Sequence, residues 1–187
     1  MCFKLGKKFV VALATFSGFA FSGVSNASDD RREGFMFSAG IGYQHIRSKF
    51  EGGYTEKNSG IATSFKIGGG INEQFMLYYA RNASWFHWSE EVLVEGVSGF
   101  GASYYLRPDS DSPYLMAVVG LADISAPFEE DLEIEVDSGT GFILGLGKPI
   151  KKNVNIEAAL MSTDIDFEYG GYEKATSLQF TINYMYY

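Results

Sequence analysis

Leu178-Gln179-Phe180-Thr181-Ile182-Asn183-Tyr184-Met185-Tyr186-Tyr187 reads as a strand, with Leu178, Phe180, Ile182, Tyr184 and Tyr186 on one face and Gln179, Thr181 and Asn183 on the other. A period of two belongs to extended chain, since the faces of a helix repeat every ~3.6 residues. In water such a strand would turn its apolar face to a core. In a transmembrane barrel the alternation is turned round: apolar side chains meet lipid, polar ones face the lumen, and aromatics cluster where the strand crosses the interface. The N-terminus, the number of like strands and the spacing between them decide between the two.

An export signal is expected over residues 1–27. Lys4, Lys7 and Lys8 precede an apolar run from Phe9 to about Phe21, and Ser25-Asn26-Ala27 forms a small-x-small cleavage site, so the mature chain would start at Ser28. The apolar run is shorter than the ~20 residues a spanning helix needs, and no later segment approaches that length. Cys2 is the only cysteine and leaves with the signal, which excludes a disulfide, thiol chemistry or a thiolate metal site in the mature chain. The whole chain carries a formal charge of −8; without the three leader lysines, 12 basic residues oppose 23 acidic ones, or −11. That balance argues against nucleic acid, whose binding needs basic surface to replace phosphate counterions. Mean hydropathy is −0.04, as expected where apolar and polar residues alternate instead of forming blocks.

Seven further segments repeat the alternation. The first sets Phe35, Phe37, Ala39, Ile41 and Tyr43 against Ser38, Gly40, Gly42 and Gln44; the second sets Ile61, Thr63, Phe65 and Ile67 against Ala62, Ser64, Lys66 and Gly68. The third, from Phe75 to about Ala83, alternates weakly and is oriented by Arg81. Because a charge facing mid-bilayer lipid costs ~2–4 kcal/mol, Arg81, Tyr79 and Leu77 are expected inward and Met76, Tyr78 and Ala80 outward. The fourth runs from Val92 to Tyr105 with Val94, Phe100 and Tyr104 outward and Glu95 inward. The fifth, Tyr114 to Asp123, is nearly all apolar and shows no preferred facing. The sixth carries Leu132, Ile134, Val136, Phe142, Leu144 and Leu146 on one parity, and the seventh puts Val154, Ile156, Ala158 and Leu160 outward with Asn155, Glu157 and Thr163 inward.

The polar connections at 47–58, 82–91, 124–131 and 167–175 are longer than those at 68–74, 107–113 and 148–153. This is the pattern of extracellular loops alternating with periplasmic turns. Aromatics crowd the strand ends, with Trp85, Phe86, Trp88, Phe167, Tyr169 and Tyr172 at one rim and Phe75, Tyr104, Tyr105, Tyr114, Tyr184, Tyr186 and Tyr187 at the other. The expected fold is all-β: an eight-stranded antiparallel up-and-down transmembrane β-barrel over residues 28–187, in the cell outer membrane. A secreted soluble sandwich or lipocalin-like barrel would explain the signal and the strands but neither the connection asymmetry nor the aromatic rims.

With Gly99-Phe100-Gly101-Ala102-Ser103-Tyr104-Tyr105-Leu106 and the aromatic last strand, this architecture resembles the small eight-stranded outer-membrane barrels of Gram-negative bacteria, the OmpA-transmembrane-domain and OmpX-like group of the porin superfamily. The resemblance spans the whole mature chain. It implies that the last strand carries the signal for the outer-membrane insertion machinery, in Phe180, Ile182, Tyr184, Tyr186 and Tyr187, with Tyr186 rather than Tyr187 on the apolar parity. It implies no activity.

Eight strands enclose a space about wide enough for side chains to fill or for one small ligand. Inward charges are expected at Lys66, Arg81, Glu95 and Glu157, with Arg81 opposite Glu95 if the connection centres on Trp88. They would either compensate one another or act as an ion-pair gate. His87-Trp88-Ser89, followed by Glu90 and Glu91, is the catalytic candidate: His and Ser two apart on a strand share a face, and a carboxylate could orient the imidazole. It weakly resembles the His-x-Ser of the lipid A deacylase barrels, but lies mid-chain and precedes Glu90 where that family has Asn. His45 and His87 fall on different loops, so no metal site or cofactor is expected from them. The acidic run Glu129, Glu130, Asp131, Glu133, Glu135 and Asp137 could hold Ca²⁺, share divalent ions with lipopolysaccharide, or offer the 129–137 hairpin to a surface partner. The leading reading is a structural or surface-interaction protein without catalysis, whose partners are outer-membrane lipid, lipopolysaccharide and the insertion machinery. A narrow channel or small-ligand carrier using a glycine-lined interior is the alternative, and a lipid A deacylase-like hydrolase is the second.

Overall fold

Alternating segments that cannot hide an edge in hydrocarbon must close on themselves, because an unpaired backbone group there costs several kcal/mol. The structure, a computed structural model, describes residues 32–89, 91–128, 136–168 and 170–187. It contains β1 (Gly34–Phe50), β2 (Thr55–Asn72), β3 (Phe75–Trp88), β4 (Glu91–Tyr105), β5 (Tyr114–Ser125), β6 (Val136–Lys151), β7 (Val154–Phe167) and β8 (Tyr172–Tyr186). Each strand pairs antiparallel with the next, and β8 pairs with β1, so the sheet is a closed up-and-down barrel.

Register fixes its dimensions. Stepping between partners from Phe37 leads through Ile67, Tyr79, Phe100, Val119, Phe142, Ser162 and Thr176 back to β1 at Arg47, a displacement of 47 − 37 = 10 residues. With ordinary strand spacing and rise, that stagger tilts the strands by about 41° and gives a backbone diameter of roughly 16 Å.

On β1, Phe35, Phe37, Ala39, Ile41 and Tyr43 point outward and are followed on the same face by His45, Arg47 and Lys49. The outward face of β2 changes in the same way, from Ile71, Ile67, Phe65 and Ile61 to Ser59, Lys57 and Thr55. The apolar belt therefore stops near Tyr43 and Ile61, and the wall continues beyond it as polar ladder. We call that extension the upper end; both described chain ends lie at the lower one.

The upper extension corrects the expected loops. Residues 47–50 and 55–58 belong to β1 and β2, 82–88 to β3, and 172–175 to β8, leaving connections of 51–54, 89–90 and 168–171 on that side. Above the belt the outward faces of β1 and β2 turn polar, so the hydropathy contrast that marked the strands is lost while the pleat continues. At the lower end Lys148–Lys151 stay in β6 through a bulge at Pro149, and the turn shrinks to 152–153. Among the described connections the two ends thus differ less in length than expected, and the β5–β6 connection that starts at 126 on the upper side runs beyond the described residues.

A second correction concerns β3. Met76, Tyr78, Ala80, Asn82, Ser84 and Phe86 are buried in the lumen, and Leu77, Tyr79 and Arg81 face out. β5 faces Tyr114, Met116, Val118 and Ala122 inward and Leu115, Val119 and Leu121 outward. Tyr105, at the rim and expected inward on the parity of Glu95, does point inward, and Tyr114 joins it there.

Inward glycines do not leave a channel. A Cβ on Gly147 would stand 2.3 Å from the Tyr114 ring, one on Gly145 2.6 Å from Met116, one on Gly141 2.4 Å from Val97 and one on Gly101 2.8 Å from Tyr78. These glycines on β4 and β6 are seats for large side chains, which spend the space that missing side chains would have opened.

Candidate functional site

The lumen is filled in tiers. At the lower end Arg32, which precedes β1, is buried with its guanidinium 3.8 Å from the centre of the Tyr105 ring. Its Nη1 donates to the carbonyls of Glu73 (2.9 Å) and Pro108 (3.4 Å), and Nη2 to that of Asp109. Tyr105 packs on Tyr114 with ring centres 4.7 Å apart, and its hydroxyl lies 3.1 Å from that of Tyr187. Above them the Tyr114 hydroxyl donates to Glu157 Oε1 at 2.5 Å, and Lys66 Nζ donates to the same oxygen. The Lys66 and Glu157 side chains are each 1% exposed, so this is an ion pair shut away from water at mid-barrel. Lys66 also points at Met116 Sδ (3.4 Å) and the Tyr78 ring (5.7 Å).

The middle tier is neutral. Ser64 donates to Asn183, Asn183 to Thr181 (2.9 Å), Asn82 to Gln179 (3.1 Å) and Gln179 to Ser84 (3.0 Å), while Ser84 and Ser177 share a bond of 2.8 Å. Val97, Val118, Ile143 and Met161 fill the opposite side. Inward polar residues of β2, β3 and β8 thus find one another across the barrel, as buried polar groups must.

Above the belt the packing opens into a cup of about 300 Å³ lined by Ser48, Phe50, Glu56, Asn58, Phe86, Trp88, Leu93, Ile124, Phe167 and Glu173. Phe50 stacks nearly parallel to Trp88 (6.4 Å, 17°) and to Tyr54 (6.3 Å, 29°). Glu173 is 2% exposed and its Oε2 has no partner. Its flanking outward residues Tyr172, Lys174 and Thr176 are polar or interfacial, so it stands outside the membrane-spanning part of β8. Burial, first, and the Glu56 carboxylate raise its carboxyl above the usual range, opposed by a hydrogen bond from Ser48. Glu95, buried deeper on β4, accepts a bond from Thr163 at Oε1 and leaves Oε2 unpartnered.

Of the four charges expected in the lumen, the structure joins Lys66 to Glu157, sets Glu95 apart with Thr163, and puts Arg81 on the outer wall. Arg81 pairs in register with Ser98, and Glu95 with Ser84, so no Arg81–Glu95 pair forms. Instead Arg81 reaches across β4 to Asp123 on β5 through two bonds (2.6 and 2.8 Å) and to Ser98 Oγ (2.6 Å). The charge rule used to orient β3 fails here because Asp123, two strands away, neutralises the guanidinium near the top of the belt, where burial in lipid costs least. Arg32, Tyr105 and Tyr114 were not recognised as a plug; the signal for the two tyrosines was their parity, against Tyr104 and Leu115.

No family model and no curated protein matches this sequence. Solved structures do match the barrel. Neisserial surface protein A superposes with a TM-score of 0.59 at 16% identity, over 81% of this chain and 99% of that one. Ail, the attachment invasion locus protein of Yersinia pestis, gives 0.52 at 17% identity, over 82% of this chain and 99% of that one. This chain has the fold of the small outer-membrane β-barrels.

Within this outer-membrane barrel fold, the sequence candidates for chemistry scatter. His87 faces outward at the end of β3, whereas Ser89 lies in the following turn with φ 58°, so the two do not share a strand face. Among the described residues no hydrogen bond joins them, and Glu90 lies outside those residues. His45 bonds to Ser59 on the outer wall (2.9 Å). No group of three or more His, Cys, Asp or Glu positioned for a metal occurs among the described residues. Glu129, Glu130, Asp131, Glu133 and Glu135 fall outside them, as does the side chain of Asp137. On β8, Phe180, Ile182, Tyr184 and Tyr186 face out, while Tyr187 turns toward Tyr105.

Proposed function

We propose that this protein is an integral β-barrel of the bacterial outer membrane that acts through its surface, without catalysis and without conducting solutes. The observation that carries the reading is the filled lumen: Arg32, Tyr105 and Tyr114 close the lower end, the Lys66–Glu157 pair closes the middle, and two chains of amide and hydroxyl hydrogen bonds occupy the neutral tier. A conducting pore needs a continuous wet path, and eight strands leave none once tyrosines and methionines occupy the interior. The location is supported by the expected signal at 1–27, the outward apolar belt and the shared fold. A surface role is supported by the polar wall that rises above the belt, and one structural neighbour is itself an attachment invasion locus protein. Outer-membrane lipid and lipopolysaccharide would contact the belt and the Arg81–Asp123 pair. The outward aromatics of β8 would serve the insertion machinery, and the acidic segment 129–137 would be offered to a surface partner.

Planar-bilayer recording of the refolded mature protein tests this. A flat baseline at applied voltages is expected. Reproducible discrete conductance steps from the monomeric barrel would overturn the closed-lumen reading.

A further inference from the structure

We propose that the upper mouth of the barrel is a binding site for a small organic ammonium ion carrying an apolar body. The proposal rests on the barrel's architecture and stands whether or not the lumen conducts. Its walls are aromatic and aliphatic: Phe50 and Trp88 stack across one side, with Phe86 and Phe167 completing the ring. Facing this apolar wall are the carboxylates of Glu173 and Glu56. Glu56 already accepts the Tyr54 hydroxyl (2.8 Å). Glu173, one of the lining residues, keeps one buried oxygen without a partner, and Glu95, on β4 across the barrel, keeps another.

An unpaired carboxylate oxygen shut away from water is costly, and it shifts toward protonation unless a cation arrives. Burial, with the Glu56 carboxylate adding to it against the Ser48 hydrogen bond, raises the Glu173 carboxyl in this way. Ring faces present negative charge to a cation, so aromatic walls and a carboxylate attract the same ligand from different sides. Bare Ca²⁺ or Mg²⁺ fits poorly, since each takes six or more oxygen ligands and much of this cup is hydrocarbon. A neutral apolar ligand would leave Glu173 as unsatisfied as before. The volume, about 300 Å³, lies at the small end of ligand pockets, and the cup stands above the lipid belt, open to water.

The test is titration of benzyltrimethylammonium into the mature protein in lipid nanodiscs, followed by calorimetry and by NMR shifts of the Trp88 indole, with empty nanodiscs subtracted. Benzyl alcohol serves as the neutral comparison. Saturable binding of the cation is expected, weaker by at least about tenfold for benzyl alcohol and for the Glu173→Gln variant. A Trp88→Leu variant should lose affinity while retaining the folded barrel's gel mobility before boiling, which separates loss of the site from loss of fold. Equal binding of the neutral compound, unchanged affinity in folded Glu173→Gln, or no saturable signal in the parent would each overturn the proposal. A conducting barrel that still binds the cation would defeat only the closed-lumen reading.

Discussion

The Glu157→Leu variant is expected to lose about 3–5 kcal/mol of folding stability in lipid vesicles, measured by urea unfolding, because it strands the Lys66 ammonium in the barrel interior. Both side chains are 1% exposed, so water cannot take the place of the lost partner. The Tyr114 hydroxyl loses its acceptor in the same step, and Asn155, 3.4 Å away, cannot compensate with its amide nitrogen, which only donates. The Lys66→Met, Glu157→Leu double variant should recover most of the loss, since an apolar pair of similar volume removes both desolvation costs at once. A single variant within about 1 kcal/mol of the parent would mean that Lys66 escapes to solvent, and that the middle of the lumen is wetter than its packing implies.

A second large effect is expected at the seam where β1 meets β8. A Cβ placed on Gly42 would lie 1.8 Å from the carbonyl oxygen of Phe180 and 2.7 Å from Thr181 Cα, both backbone atoms that hold the closing ladder. Gly42→Val must therefore part the two strands or expel one from register. Overpacking alone costs about 1–3 kcal/mol, and ladder bonds opened toward lipid cost several kcal/mol each. The variant is expected to lose at least about 3 kcal/mol and to lose the compact migration of an unboiled barrel on gels. Ala39→Val on the outward face of the same strand should be neutral. A Gly42→Val protein that migrates and unfolds as the parent does would refute the β1–β8 closure.

The strands are most legible where one face meets lipid and the other lies among polar partners, and β8 keeps that contrast from Leu178 to Tyr184. Where the contrast fades, sequence reading fails for identifiable reasons. Above the belt, Arg47 and Lys49 on one face and Ser48 on the other are all hydrophilic, so extended chain passes for loop. On β3, Leu77 and Tyr79 outside are no more apolar than Met76 and Tyr78 inside, and Arg81 points the wrong way for anyone unaware of Asp123. The Lys66–Glu157 contact joins β2 to β7 across the barrel, a pairing that no local pattern encodes. The aromatic cup depends on Phe50, Phe86, Trp88 and Phe167 ending at one height, which follows from the ten-residue stagger and not from any motif.

Everything rests on which parity of β8 touches acyl chains. Nitroxide labels placed singly at residues 179 to 184, on a chain whose sole cysteine is Cys2, can be read for collision with lipid-dissolved oxygen and with an aqueous nickel complex. Labels at Phe180, Ile182 and Tyr184 should show high oxygen accessibility, whereas those at Gln179, Thr181 and Asn183 should show little of either. Oxygen-rich signals at Thr181 and Asn183, or shielded labels at Phe180 and Ile182, would contradict the barrel's orientation.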